Sequence, residues 1–295
     1  SGTIAASGTL GQIIPPSIIL ILLGDVIGVP VGELFIGAVI PGMLLIVAYM
    51  LYIGFVAWRH PHLAPAVNDN NPELAALWIS VLKSLLPPLA LIIAVLGSIF
   101  YGVASPTESA AVGALGALIL AAFHRRLTLN NLRDAMQKTT RLTSMVFLIF
   151  IGATAFGLVF VGMGGDSLIL EIFSGLPGGK WTFLILSMLL IFVLGFFLDF
   201  IEICFIVVPI IAPVAIHMGI DPLWFALLIA INLQTSFLTP PFGFSLFYLK
   251  ASAPPTVKLM DIYHGIIPFV GIQLIVLALI ISFPVIALWL PNLMG

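Results

Sequence analysis

Charge is what this sequence has least of. Only 7% of its 295 residues are Asp, Glu, Lys or Arg, whereas a typical soluble domain carries about 25%. Six uncharged runs are each long enough for a helix that crosses a bilayer, which needs about 20 residues. These runs are Leu34–Trp58, Ser84–Thr107, Leu142–Gly165, Trp181–Leu198, Leu223–Leu249 and Gly265–Gly295. Because barrel strands alternate over only about 10 residues, we predict an all-α polytopic membrane protein.

Cysteine is nearly absent as well, and several kinds of chemistry are excluded with it. Cys204 is the single cysteine, so the chain forms no internal disulfide and no cysteine-based metal site. The five histidines lie near the ends of apolar runs without metal-ligand spacing. The sequence contains no P-loop and no nucleophile–base pair within the runs. We therefore expect neither an enzyme nor a nucleic-acid-binding protein, and any transport has to be driven by an ion gradient or a partner.

The few cations lie almost entirely on one side of the predicted membrane. Cytoplasmic loops collect Lys and Arg, and nine of the ten fall in alternate loops: Arg59, Lys83, Arg125, Arg126, Arg133, Lys138, Arg141, Lys250 and Lys258. The opposite loops hold only Lys180, together with acids such as Asp25 and Asp166. This asymmetry predicts that the first segment, 1–24, runs outward and that the C-terminus lies outside.

Residues 181–219 form two apolar arms that have to start and finish on the outer side. The stretch GFFLDFIEI (Gly195–Ile203) interrupts them and carries Asp199 and Glu202. A re-entrant hairpin places these acids at a tip inside the protein, where an ionisable group indicates function. Two full crossings are the alternative, and they place both acids in an inner turn without a cation.

Three other stretches lie outside the repeated segments described next. Residues 59–76 are rich in Pro and Asn and predict a cytoplasmic linker. The stretch 127–141 predicts a short amphipathic helix on the inner surface, with an ordinary polar loop as the alternative. The stretch SPTESAAVGALGAL (Ser105–Leu118) has a structural reading, because Ser105 and Glu108 match a capping box and small residues follow.

An internal repeat relates the two ends of the chain. TLGQIIPPSI (Thr9–Ile18) matches TSFLTPPFGF (Thr235–Phe244), with the proline pairs aligned at an offset of 225. ELFIGAVIPGML (Glu33–Leu44) matches MDIYHGIIPFVG (Met260–Gly271) at an offset of 227. The predicted topology runs the first copy outward and the second inward, so the repeat is inverted, as in many secondary transporters.

The repeat also predicts how the chain divides. We expect a first broken helix with its following helix in 1–58, scaffold helices with the surface helix in 77–141, and the second repeat in 142–295. Within the second repeat we expect the hairpin 181–219, a broken helix at 222–250 and a last helix at 265–290. The first copy requires its own hairpin upstream, and the chain begins at Ser1 without a methionine, so we expect a fragment.

The proline pairs predict two breaks with exposed backbone oxygens. Proline lacks an N–H and frees carbonyl groups one turn earlier, and unwound carbonyls with helix C-terminal ends bind Na⁺ in transporters. The candidate Na⁺ ligands, for two expected sites, are Gly11, Ile14 and Pro16 in the first break, Ser236, Thr239 and Pro241 in the second, and Gly195 and Asp199 at the hairpin tip. An ordinary kink is the alternative, and the Pro87–Pro88 pair, which has no polar neighbours, is an example.

Polar residues cluster just before the second break. Asn232, Gln234 and Thr235 are candidates for contact with a substrate. Hydrogen bonding between packed helices is the alternative role for such residues in a membrane.

Five motifs together resemble the large membrane subunit of tripartite ATP-independent periplasmic (TRAP) transporters. They are ASGTLGQIIPPSI, LFIGAVIPG, SPTESAAVGA, GFFLDF and NLQTSFLTPPFG, which run from residue 6 to residue 243. The resemblance implies Na⁺-coupled uptake of organic acids, such as C4-dicarboxylates or sialic acid, across the bacterial inner membrane by an elevator mechanism. It also implies a periplasmic substrate-binding protein and a small four-helix membrane subunit as partners. By the same resemblance, Gly11–Pro16 belongs to one Na⁺ site, and Gly195 with Ser236–Pro241 to the other.

Other functions remain open from the sequence. A stand-alone Na⁺/dicarboxylate or anion symporter of related architecture works without a binding protein. A channel requires a continuous polar face along the pore, which the apolar runs do not offer.

Overall fold

The computed structural model describes residues 2–61, 74–175, 177–240, 243–254 and 257–294, and the helices dominate them. In chain order they are α1 (Gly2–Leu10), α2 (Ile18–Ile27), α3 (Val31–Arg59), α4 (Leu74–Phe100), α5 (Pro106–Phe123), α6 (Leu129–Gly162), α7 (Gly165–Ser174), α8 (Lys180–Leu194), α9 (Phe200–Glu202), a π-helical segment (Ile203–Val207), α10 (Val208–His217), α11 (Pro222–Leu238), α12 (Phe244–Ser252), α13 (Leu259–Ser282) and α14 (Val285–Met294). The described part of the chain contains no strand.

Six helical stretches of the described residues are long and apolar enough to cross a membrane. They are Val31–Arg59, Ser80–Phe100, Pro106–Phe123, Leu129–Gly162, Phe200–His217 and Leu259–Ser282. Helices α2, α8 and α11 are apolar but shorter. The predicted all-α polytopic architecture is confirmed.

Helix α11 forms the centre of the larger of two compact units, Ser1–Phe55 with Val146–Gly295. It is 17 residues long, and 15 of them are buried, as expected for a helix that is apolar on all sides. It packs against α1, α2, α8, α10, α12, α13 and α14. The Trp224 indole N–H also donates a hydrogen bond of 3.1 Å to the carbonyl of Ile280 on α13.

Both predicted breaks interrupt their helices. The first separates α1 from α2 over Gly11–Ser17, and the second separates α11 from α12 after Leu238. The Pro87–Pro88 pair, in contrast, lies inside the continuous helix α4. A proline pair therefore ends a helix in this chain where Gly, Ser or Thr flank it, and apolar flanks let the helix continue.

The two repeat copies share their order of elements. Each has a broken helix followed by a long helix that keeps an internal proline, Pro41 in α3 and Pro268 in α13. The copies also pack together, because α1 contacts α12 and α13 while α11 contacts α1 and α2. A Cβ atom on Gly2 would stand 1.8 Å from the carbonyl oxygen of Gly265, so α1 and α13 touch backbone to backbone.

The second compact unit, Val56–Met145, contains α4 and α5 as a helical hairpin. The capping box is present: Glu108 accepts a 2.8 Å bond from the Ser105 N–H, and Ser105 Oγ accepts one from the Glu108 N–H. A Cβ atom on Gly116 would lie 2.3 Å from Leu91 Cδ1, so α4 and α5 approach closely at this glycine. The structural reading of this stretch is therefore confirmed.

Two sequence predictions of element boundaries were wrong, and one helix was not predicted. The stretch 127–141 is not a separate surface helix, because Leu129–Gly162 is one helix of 34 residues and no Pro or Gly interrupts its first half. The last span ends at Ser282, and α14 follows as a separate helix. Phe283 has an extended φ of −128° there, as the steric clash with the following Pro284 favours. Helix α7 had no counterpart in the sequence predictions.

Candidate functional site

The interruption of the predicted hairpin is formed by five residues. Helix α8 ends at Leu194, a turn follows, and Asp199 is the N-cap of α9, which begins at Phe200. Helix α8 packs against both the π-helical segment and α10, so the two arms lie side by side. The depth of this hairpin in the bilayer stays a prediction.

Gly195 brings the hairpin into direct contact with the end of α11. A Cβ atom at this position would lie 2.2 Å from Ser236 Oγ and 2.5 Å from Ser236 Cβ. Both residues are buried. The two elements predicted to form the second ion site therefore meet at a position where only glycine fits.

Hydroxyl groups line the last turn of α11. Thr235 donates to the Ile231 carbonyl at 3.0 Å, Ser236 donates to the Leu233 carbonyl at 2.8 Å, and Thr239 donates to the Thr235 carbonyl at 2.8 Å. A hydroxyl that gives its hydrogen to an upstream carbonyl keeps lone pairs free to accept. The turn therefore presents oxygen atoms of the kind that a hard cation binds. Pro241 lies outside the described residues.

Asp199 and Glu202 cap the short helix α9. Asp199 Oδ1 accepts a bond of 2.7 Å from the Phe200 N–H, and Glu202 Oε2 accepts one of 3.1 Å from the Asp199 N–H. Both side chains are half-buried. The acids thus shape the hairpin tip, and the role of Asp199 as an ion ligand stays a prediction.

The first break is more open than the second. Gly11 and Pro16 are exposed, and Ile14 is half-buried with its Cγ1 facing Gly42. Ser17 caps α2 through the Leu20 N–H and donates its own hydrogen to the Gln12 carbonyl. No donor among the described residues reaches the carbonyl oxygens of Gly11, Ile14 or Pro16. These are the three oxygens predicted as ion ligands.

The candidate substrate residues are all buried within the unit. The Asn232 amide nitrogen donates a bond of 2.6 Å to the Met188 carbonyl on α8, while its Oδ1 has no partner among the described residues. Gln234 is fully buried and neither polar atom of its side chain has a partner there. Asn232 thus links α8 to α11, which is the helix–helix hydrogen bonding expected as the alternative to substrate contact. Gln234 has unmet hydrogen-bonding capacity next to the second break.

Sequence reasoning missed a second group of buried polar side chains. Gln273 on α13 is fully buried beside the Tyr49 hydroxyl of α3, and Ser187 is buried on α8. A detectable signal existed for Gln273, because it is the only amide in the apolar run from Gly265 to Ile281. Tyr49 gave no comparable signal, since tyrosine is common near membrane surfaces.

Comparison with known proteins places these features in a family. Residues 1–286 match the model of the family described as "Tripartite ATP-independent periplasmic transporter, DctM component". The chain is 31% identical over 293 residues to the sialic acid TRAP transporter large permease protein SiaM of Vibrio cholerae, covering 99% of this chain and 67% of that protein. It is 30% identical over 296 residues to the C4-dicarboxylate TRAP transporter large permease protein DctM of Pseudomonas aeruginosa, covering 100% of this chain and 68% of that protein.

A third relative has a different named substrate. The ectoine TRAP transporter large permease protein TeaC of Halomonas elongata is 30% identical over 291 residues, covering 97% of this chain and 66% of that protein. The chain thus spans about two thirds of the length of these relatives. The family match and the relatives describe transporter permeases rather than enzymes, and this chain belongs to the family of DctM components of tripartite ATP-independent periplasmic transporters.

Proposed function

We propose that the chain is the permease of a Na⁺-coupled uptake system for organic acids that depends on a periplasmic substrate-binding protein. The observation that carries the proposal is the contact between Gly195 and Ser236. It joins the hairpin interruption to a broken helix at a buried point where hydroxyl and carbonyl oxygens converge. Broken helices arranged in this way hold coupling ions and substrates in secondary transporters.

Na⁺ is the ion that the available donor atoms favour. The proposed ligands of the second site are the Gly195 carbonyl together with oxygens of Ser236 and Thr239, with Asp199 and Pro241 completing it. The proposed ligands of the first site are the carbonyls of Gly11, Ile14 and Pro16. The C-terminal ends of α1 and α11 carry partial negative charge, which adds to the attraction for a cation at both breaks.

The substrate class follows from the relatives and from the polar cluster. Sialic acid and C4-dicarboxylates, named in two of the relatives, share a carboxylate group. Asn232, Gln234 and Thr235 lie directly before the second break, and the unpartnered amide nitrogen of Gln234 can donate hydrogen bonds to a carboxylate. We therefore assign these three residues to substrate binding.

An elevator mechanism is the motion that this packing supports best. Helix α11 touches both halves of the first broken helix, the hairpin arm α8, and α13. These elements share one buried core, which supports their movement as one body. We propose that this body carries the ions and the substrate across the bacterial inner membrane. A small four-helix subunit and the binding protein complete the system, and the C-terminus lies in the periplasm.

Uptake by the full-length protein tests the proposal. The permease and its small membrane subunit are reconstituted in liposomes, and uptake of a labelled C4-dicarboxylate or sialic acid is followed. Uptake that needs both an inward Na⁺ gradient and the binding protein is the expected result. Uptake without the binding protein would instead indicate a stand-alone symporter, and a non-saturating current would indicate a channel.

A further inference from the structure

A large cavity lies away from both breaks, in the larger unit. Its volume is about 980 Å³. Its walls come from α6, α7, the end of α2 and the second hairpin arm, which consists of the π-helical segment and α10. One wall is a single face of α6, with Phe150, Thr154 and Leu158 in line. The opposite wall is a single face of the arm, where Phe205 and Pro209 stand four residues apart. Residues four apart share one helix face. One face of α6 and one face of the second hairpin arm therefore line opposite sides of the cavity.

Small residues and an aromatic pair explain why the cavity stays open. Phe150 and Phe205 contact each other edge to face, with ring centroids 5.2 Å apart, and they close one end. Farther along α6, Ala153 and Gly157 line the wall with almost no side chain. A Cβ atom on Gly157 would meet no atom of the described residues within 4 Å. The small side chains therefore leave space between the two walls beyond the phenylalanine pair.

The other end of the cavity is acidic. Asp25, Asp166 and Glu171 line it together with His217, and no Lys or Arg among the described residues does. None of these three acids forms an ion pair among the residues that the structure describes. All three belong to loops or helix ends that the charge distribution places on the outer side of the membrane. The mouth of the cavity is thus a water-exposed site with negative charge.

The length of the cavity matches one leaflet of a bilayer. Its wall on α6 runs from Phe150 to Val161, which at 1.5 Å per residue is about 17 Å. The hydrocarbon core is about 30 Å thick, so one leaflet is about 15 Å deep. Among the described residues, helix α6 is also exposed along most of its length.

We propose that this cavity binds one outer-leaflet phospholipid with an amine head group, phosphatidylethanolamine. The acyl chain fills the apolar slot between α6 and α10, and the ammonium group donates charge-assisted hydrogen bonds to Asp166 and Glu171. An anionic phospholipid presents like charge to the three acids, so the mouth selects against it. The assignment concerns binding alone and does not depend on the proposed transport function.

Lipid retention in nanodiscs tests the assignment. The full-length protein is reconstituted with equal amounts of phosphatidylethanolamine and phosphatidylglycerol, and native mass spectrometry counts the lipids that stay bound. The wild-type chain is expected to keep one phosphatidylethanolamine, with a preference over phosphatidylglycerol of about fivefold to tenfold. The double variant Asp166→Asn/Glu171→Gln is expected to lose the preference, and Gly157→Phe is expected to lose the bound lipid of either kind.

Matched variants separate the cavity from general effects. Glu33→Gln removes an exposed acid that does not line the cavity, and Gly152→Phe adds a ring to α6 outside it. Both are expected to retain lipid like the wild type, and thermal unfolding shows whether each variant folds. Equal retention of the two lipids by the wild-type chain would overturn the proposal, as would unchanged retention in both cavity variants. Loss of the lipid when the chain is in complex with the small membrane subunit would also overturn the proposal. The cavity would then be assigned to a helix of that subunit.

Discussion

Gly195→Ala places a methyl group where the hairpin meets α11. The new Cβ atom would stand 2.2 Å from Ser236 Oγ, and ordinary contact begins at 3.4 Å. One of the two elements therefore has to retreat by about 1.2 Å. Gly195 lies at the end of α8, and its N–H donates a hydrogen bond of 2.9 Å to the Ile191 carbonyl. Because this bond holds the backbone of Gly195, the displacement falls on the α8–α11 interface.

The cost of this displacement has a definite size. Overpacking a well-packed interior costs about 1–3 kcal/mol, and we expect the free energy of unfolding to fall by that amount. The second change Ser236→Gly removes both atoms in the clash. The double variant is therefore expected to be more stable than the sum of the single variants indicates, by a coupling energy of about 0.5–3 kcal/mol.

Stability and ion affinity should separate in this series. Unfolding in detergent gives the stability, and the Na⁺ concentration for half-maximal uptake gives the affinity. The double variant should recover stability but still need more Na⁺, since it lacks the Ser236 hydroxyl. Gly152→Ala is the control, because a Cβ atom there meets nothing within 4 Å. Equal stability of Gly195→Ala and this control, or strictly additive effects in the double variant, would refute the reasoning.

Three other substitutions have defined outcomes. Asn232→Leu loses the hydrogen bond to Met188, worth about 0.6 kcal/mol in a membrane, but it also removes the unpartnered Oδ1. The temperature of thermal unfolding should therefore change little. Substrate uptake should fall at least about tenfold. Gly116→Leu meets Leu91 at 2.3 Å and should destabilise the α4–α5 hairpin by about 1–3 kcal/mol, seen as faster proteolysis of this unit. Pro284→Ala restores a backbone N–H and should join α13 to α14, which slows amide exchange at the two residues that follow it.

Each of these three has a matched control. Asn131→Leu removes an exposed amide that donates to the Arg126 carbonyl at 2.8 Å, and it should leave uptake unchanged. Gly97→Leu adds a side chain to α4 at a position with open space around it. Pro268→Ala changes a proline inside a helix that already continues through it, so exchange at the two residues after it should change less than at those after position 284.

The breaks were predictable from sequence because their cause is local. A proline pair removes two backbone donors, and neighbouring Gly, Ser or Thr decides whether the helix ends. Pro15–Pro16 and Pro240 follow this rule in the structure, and Pro87–Pro88 lies in a continuous helix between apolar neighbours. The contact between Gly195 and Ser236 was predictable only through the predicted hairpin and the resemblance to TRAP transporters, since 41 residues separate them in the chain.

The boundaries that failed depend on features that hydropathy does not measure. The change from polar to apolar near Leu142 resembles a boundary, yet α6 continues because no residue there stops a helix. The apolar run after Gly265 conceals an interruption, since one proline at 284 ends α13 without lowering the hydropathy. The capping of α9 by Asp199 was not predicted. The negative charge of Asp199 indicated an ion ligand, whereas its position before a helix indicates an N-cap.

The apparent Na⁺ affinity of Ser236→Ala compared with Ser187→Ala tests the central claim most directly. Both serines are buried to the same extent, with 1% of each exposed, and only Ser236 lies at the contact with Gly195. Full-length protein in liposomes, supplied with its binding protein, gives the Na⁺ concentration for half-maximal uptake. We predict that Ser236→Ala raises this concentration by about tenfold and that Ser187→Ala leaves it unchanged. Equal Na⁺ dependence in both variants and the wild type would contradict the account.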